Sequence, residues 1–162
     1  MPRLVERAEA GKLAVVGPAT NRVSLTYVVN AAAAHVDAAL ALAAGGASAA
    51  CAGRAYFVNQ RDPVFLWEWI ARVLTGVGAP PIRRKVSART AYVAGALCEA
   101  AWSVLPLRGE PPMTRFVAQQ LALDHTYDLA PAERDFGYRE RVPLEEATQR
   151  TIEAFRASRA EA

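Results

Sequence analysis

An α/β fold, rich in helix and with too few short strands to complete a sheet, is the class this sequence predicts. Three observations predict it. About six segments carry a helical apolar period with recognisable caps, against three or four strand-like runs. Those runs are short and scattered along the chain. A parallel-type strand at residues 55–58 has no evident neighbours to pair its backbone groups. A length of 162 residues suits a single domain, 1–162, and 52% apolar with 22% charged residues describes a globular chain.

Residues 3–10 read as the end of a helix, stopped by Gly11 as a left-handed cap. Residues 12–16 form a short apolar strand ending at Gly17-Pro18. The polar turn Thr20-Asn21-Arg22 leads to a second strand over 23–28, rich in β-branched and aromatic residues. Asn30 stands at the N-cap of a helix over 31–44, whose alanines let it sit close to whatever lies beneath, until Gly45-Gly46 ends it. Residues 54–59 form a compact strand. Asp62-Pro63 starts a helix with Leu66, Trp69, Ile70 and Val73 on one face and Glu68 paired with Arg72 on the other, closed by Gly76 and Gly78. Arg83-Arg84-Lys85 reads as a solvated loop. Ser87 caps a long helix to Leu105, and Thr114 opens another over 115–123. Residues 126–129 suit a short strand, and Pro131 begins a helical turn ending at Gly137-Tyr138. Pro143 opens the last helix, with Leu144, Ala147, Thr151, Ile152 and Phe155 facing inward.

Several functions are excluded by what these residues lack. The net charge of +3 is small and its arginines are spread, so no basic stripe interleaved with aromatics invites nucleic acid. Cys51 and Cys98 have no metal spacing, and two histidines, His35 and His125, are too few for a zinc site. Free thiols and an N-terminus without an apolar signal core predict a cytoplasmic location. The longest apolar stretch, read at 91–107, is too short to span a bilayer and is broken by Gly95, Glu99, Ser103 and Pro106. A dinucleotide cradle needs a glycine-rich strand-to-helix turn, and none of the ten glycines has G-x-G-x-x-G spacing. Hydride transfer of the short-chain type needs a Tyr four residues before a Lys. Lys12 and Lys85 are preceded at that spacing by Ala8 and Pro81. No serine stands in a G-x-S-x-G elbow, Glu145-Glu146 is a solvated face, and the polar run His125 to Asp128 is a strand edge. No catalytic, cofactor-binding or metal-binding residue is therefore expected within the chain.

Three segments nevertheless carry a resemblance. Leu25-Thr26-Tyr27-Val28-Val29-Asn30-Ala31-Ala32-Ala33-Ala34-His35 is similar to the Phe-Thr-Tyr-Val-x-Asn-x-Ala-x-Ala-His run of the 3β-hydroxysteroid dehydrogenase/isomerase family. Gly53-Arg54-Ala55-Tyr56-Phe57-Val58-Asn59 with Asp62-Pro63 resembles that family's Gly-x-x-Tyr-x-Ile strand and turn. Asp135-Phe136-Gly137-Tyr138 with residues 142–148 resembles its Leu-Gly-Tyr close, with Phe136 in place of the usual Leu and Pro131-Ala132 where a basic-Ala pair is usual.

The resemblance implies the helix-rich C-terminal part of an NAD(P)-binding, Rossmann-like extended short-chain dehydrogenase/reductase fold, its dinucleotide-binding half absent. Strand 55–58 would then extend a parallel sheet. It implies NAD or NADP as cofactor, not expected to bind this chain alone, and oxidoreduction of a hydroxyl or ketone on a steroid-like or other hydrophobic small molecule. Relatives that handle nucleotide sugars carry an Arg-Asp-Tyr run where this chain has Val23-Ser24-Leu25, a strand that offers no cation to a pyrophosphate. Tyr27, Asn30, Tyr56 and Asn59 are the substrate-pocket candidates. Two other readings remain open at this point. One is a non-catalytic lipid-binding or membrane-surface module, resting on Arg83-Arg84-Lys85 and the helix carrying Tyr92 and Trp102. The other is a homodimer paired through its orphan strand, in place of a missing N-terminal half.

Overall fold

The computed structural model describes residues 2–105 and 108–160. In chain order the elements are α1 (Pro2–Glu9), β1 (Ala14–Val16), β2 (Arg22–Val23), α2 (Val28–Gly45), a 3₁₀ turn (Gly46–Ser48) and β3 (Val64–Phe65). There follow α3 (Leu66–Gly76), β4 (Arg84–Val86), α4 (Ala88–Val104), α5 (Arg115–Ala122), α6 (Ala130–Phe136) and α7 (Leu144–Ala160). The fold is α/β and helix-rich, and among the described residues its strands form two-stranded sheets only. The chain divides into two units: Met1–Val23 with Phe65–His125, and Ser24–Val64 with Thr126–Ala162.

In the first unit α1 ends where Gly11 takes φ +64, a conformation that costs a residue without Cβ nothing. The Arg7 carbonyl then receives the N–H groups of Lys12 and Leu13, turning the chain into β1. β1 pairs in parallel with β4, Ala14 opposite Arg84 and Val16 opposite Val86. The solvated loop expected at Arg83-Arg84-Lys85 is thus corrected: Arg84 and Lys85 lie in a strand. Their backbone is paired while their side chains stay exposed, as an edge strand allows.

α3 buries Trp67, Ile70, Val73 and Leu74, where the sequence placed Leu66 and Trp69 on the inner face. The helix begins at Leu66 and not at Pro63, because residues 64 and 65 are used in β3 and the Leu66 N–H donates to the Asn21 carbonyl. The Trp67 indole N–H donates to the Leu121 carbonyl at 3.1 Å, a part-buried bond.

The caps of α4 and α5 follow the sequence: Ser87 Oγ accepts from Thr90 N–H and Thr114 Oγ1 from Val117 N–H. These two helices meet at Gly95, where an added Cβ would lie 2.6 Å from the Thr114 carbonyl carbon. Glu99 fastens the same junction, accepting from both the backbone N–H and the Nε of Arg115. Those bonds, the backbone one foremost, hold its carboxyl below the usual carboxylate value. The end of the apolar stretch read at 91–107 falls on Pro106 and Leu107, outside the described residues.

In the second unit Ala34, Leu129, Ala132 and Tyr138 form a core, with Tyr56, Val58 and Phe136 packed against it. α6 closes at Gly137, φ +72, as the sequence implied. α7 buries Ala147, Thr148 and Ile152, with Leu144, Thr151 and Phe155 half-buried beside them.

Four expectations are corrected here. The strand over 23–28 shrinks to Arg22–Val23, and α2 begins at Val28 with Tyr27 as its cap residue, so Asn30 lies inside the helix and not at its N-cap. Residues 54–60 are in no strand, because a parallel ladder needs flanking strands and this segment meets only isolated groups. Gln60 N–H donates to the Leu25 carbonyl, and the Val58 carbonyl accepts from the Thr26 hydroxyl. Residues 126–129 make no strand either; His125 alone forms a bridge, to Val23. Finally, among the described residues the helix long and apolar enough to cross a membrane by length and composition is α2 with its 3₁₀ extension, Val28–Ser48.

Candidate functional site

Polar side chains of the second unit gather around Asn30, which is 0% exposed. Its Nδ2 donates to Gln60 Oε1 at 2.6 Å and to the Val142 carbonyl at 2.8 Å. Its Oδ1 accepts from the backbone N–H groups of Arg141 and Val142 at 3.0 and 2.9 Å. The amide is therefore saturated by protein groups, two as donor and two as acceptor. Gln60 extends the network, donating through Nε2 to Glu140 Oε1 and to the Val142 carbonyl.

Asn59 lies next to this hub. Its Nδ2 donates to the Gln60 carbonyl, and its own carbonyl accepts from the Tyr138 hydroxyl. Its buried Oδ1 has no partner among the described residues. Tyr56 belongs to a different group. Its hydroxyl donates to Asp135 Oδ2 at 2.6 Å, and its ring meets Phe136 edge-on at 5.1 Å. Asp135, with a side chain only 4% exposed, also receives Arg54 and Arg134. Tyr27 stands at the head of α2 as its cap residue, without a side-chain cap bond. The four residues named from the sequence thus do not converge: Asn30 and Asn59 are linked through Gln60, Tyr56 sits on Asp135, and Tyr27 stands at the head of α2.

The electrostatics of these groups suit holding, not proton transfer. Burial, then the hydrogen bond to Asp135, pushes the Tyr56 phenol above its usual value, and burial does the same to Tyr138. A phenol serving as acid–base catalyst needs the opposite shift, toward neutrality. The Tyr56 hydroxyl, followed by Arg134, holds Asp135 below its ordinary 3.8. A carboxyl depressed in the folded state contributes stability that is present above its unfolded value and lost as pH falls through the folded one. Unfolding followed between pH 5 and 2 is therefore expected to show an acid-side loss in the wild type that Asp135→Asn flattens; parallel profiles would contradict it.

At Gly17 the described residues do not build a dinucleotide cradle. Such a cradle leaves a bare glycine facing the pyrophosphate at a helix N-terminus. Gly17 does follow strand β1 with φ +76, yet it leads on toward β2, and the space beside it is filled by Ala122, 3.3 Å from where a Cβ would stand. The residues around Gly17 do not fit the cofactor. Sequence reasoning also passed over Gln60, Asp135 and Glu140. The signal for the first was a polar pair, Asn59-Gln60, closing an otherwise apolar segment.

A model of the 3-beta hydroxysteroid dehydrogenase/isomerase family matches residues 1–86. Among curated proteins, the 2-alkyl-3-oxoalkanoate reductase of Stenotrophomonas maltophilia is 49% identical over 150 residues, 93% of this chain and 44% of that protein. The 3beta-hydroxysteroid-dehydrogenase/decarboxylase isoform 2 of Arabidopsis thaliana is 36% identical over 96% of this chain and 28% of its own length. The decarboxylating sterol-4-alpha-carboxylate 3-dehydrogenase of Mus musculus is 30% identical over 96% of this chain and 43% of its own. The chain spans less than half the length of these relatives. No solved structure matches it.

Proposed function

This chain belongs to the 3-beta hydroxysteroid dehydrogenase/isomerase family, and we propose on that footing that it forms the substrate-side part of an NAD(P)-dependent reductase acting on the 3-oxo group of an apolar, lipid-like acid. The observation that carries the proposal is the 49% identity to an oxoalkanoate reductase, against 30% to the mouse sterol enzyme. The glycine turn and the Tyr-x-x-x-Lys pair are to be supplied from outside these 162 residues. Tyr27, Asn30, Tyr56 and Asn59 enter this reading as wall and support, not as acid or base, with Asn59 offering an uncommitted buried acceptor. The free thiols Cys51 and Cys98 accord with a cytoplasmic enzyme.

A chimera tests it. The chain is placed in the Stenotrophomonas reductase in exchange for the matched region. Reduction of a 2-alkyl-3-oxoalkanoate by NADH or NADPH is expected within about tenfold of the parental kcat/KM. A folded chimera with no turnover sinks the reading, and a preference for a 4-carboxysterol moves the substrate class. The 162-residue chain by itself should not retain NADPH on a desalting column; tight retention would contradict the division of labour.

A further inference from the structure

In the first unit the β1–β4 pair and the helices α4 and α5 line a cavity of about 210 Å³. Strand alternation makes one wall: Ala14 and Val16 of β1 turn to the same side as Arg84 and Val86 of β4, and all four line it. Ala91 and Ala94 of α4 and Val117 and Leu121 of α5 make the other, at one-turn spacings, and the two alanine methyls leave the space open. One end of this apolar space is charged, because Arg7 and Lys12 line it together with Arg84. The backbone gathers them: the Arg7 carbonyl accepts the Lys12 N–H at 2.8 Å, and Lys12 stands just before the start of β1, where Ala14 lies opposite Arg84. All three side chains are exposed. Among the described residues none of them enters an ion pair, and no acidic side chain lines the cavity.

Cations without partners at the mouth of an apolar space fit a molecule with an anion at one end and hydrocarbon behind it. Guanidinium groups match the two oxygens of a carboxylate, and seating an alkyl chain takes the walls out of water. We propose that this cavity is the carboxylate and alkyl subsite for the acid, an inference that rests on the reductase function proposed above. Arg7, Lys12 and Arg84 take the carboxylate, and the apolar walls take the alkyl branch on the carbon beside it. The 3-oxo carbon follows that branched carbon, so it stays outside the cavity and is left free for reduction. The size agrees. Whole-ligand sites run to about 300–1,000 Å³, so this smaller cavity suits a head and one branch and not an entire lipid.

Isothermal titration calorimetry with 2-butyloctanoate and its methyl ester tests the subsite, since neither has a ketone to reduce. The acid should bind the 162-residue chain at least about tenfold more tightly than the ester. Arg7→Gln with Lys12→Gln and Arg84→Gln should remove that preference. Lys85→Gln, adjacent on β4 but turned to its opposite side, should change it by less than about twofold. Ala94→Phe, which fills the cavity, should weaken acid and ester together by about tenfold or more. Equal affinity for acid and ester, or an equal loss in Lys85→Gln, would overturn the proposal. So would binding to phosphatidylglycerol vesicles without binding of the monomeric acid, which would assign the cations to a lipid surface. In the chimera the triple substitution should raise KM for the oxo acid at least about tenfold and leave kcat within about threefold. Acid binding alongside a chimera without turnover keeps the subsite's ligand and removes the reductase reading. Turnover with a KM unmoved by the triple substitution does the reverse.

Discussion

Asn30→Leu is expected to lower the unfolding free energy by about 4 kcal/mol, since several buried polar groups lose their partner at once and each costs about 1–3 kcal/mol when left unpaired. The groups are the N–H of Arg141, the N–H of Val142 and Gln60 Oε1; the Val142 carbonyl keeps its bond from Gln60. Leucine keeps the branching of asparagine and is the larger side chain, so a cavity cannot account for the effect, and any overpacking adds to it. Asn30→Asp separates the two halves of the network. It retains an acceptor for the two N–H groups but offers no donor to Gln60, and should fall between the leucine variant and the wild type. Urea unfolding followed by circular dichroism checks both. A leucine variant within about 1 kcal/mol of wild type would show that the network contributes little net stability.

Gly95→Ala is expected to destabilise the chain by about 2 kcal/mol, although alanine improves helix propensity by about 1 kcal/mol. The added methyl would meet the Thr114 carbonyl carbon at 2.6 Å, the Arg115 nitrogen at 2.7 Å and the Thr114 oxygen at 2.8 Å. All three are backbone atoms and cannot rotate away. α4 and α5 must separate, which also draws Arg115 from Glu99. Ala94→Gly, one residue earlier on an exposed site, supplies the propensity term alone and should cost about 1 kcal/mol. Thermal melts of the two variants decide the matter: a Gly95→Ala protein that melts at or above the wild type would refute the close approach.

What could be read from the residues follows the range of the interaction. Caps are local, so Gly11, Ser87, Thr114 and Gly137 announce helix ends that the fold reproduces. The family was legible for the same reason, because its markers are short runs such as residues 25–35. Strands were not. Arg84 pairs with Ala14, seventy positions away, and nothing in a run of three basic residues discloses that partner. Trp67 meets a carbonyl at Leu121, supplied by another helix, which no local pattern discloses. Asn30 is the clearest case. Its type and position admitted a helix cap, and the cap is a local bond; its actual partners stand at 60, 141 and 142, where only the folded chain brings them.

That spacing has a temporal consequence. A chain emerging from the ribosome exposes α2 before Arg141 and Val142 have been synthesised, so Asn30 waits, hydrated, for partners 111 and 112 positions further on. Closing so wide a loop carries an entropic cost that no contact nearer in sequence can offset early. A message cut short before codon 141 would thus release a product in which the Asn30 side chain has no backbone N–H groups to receive.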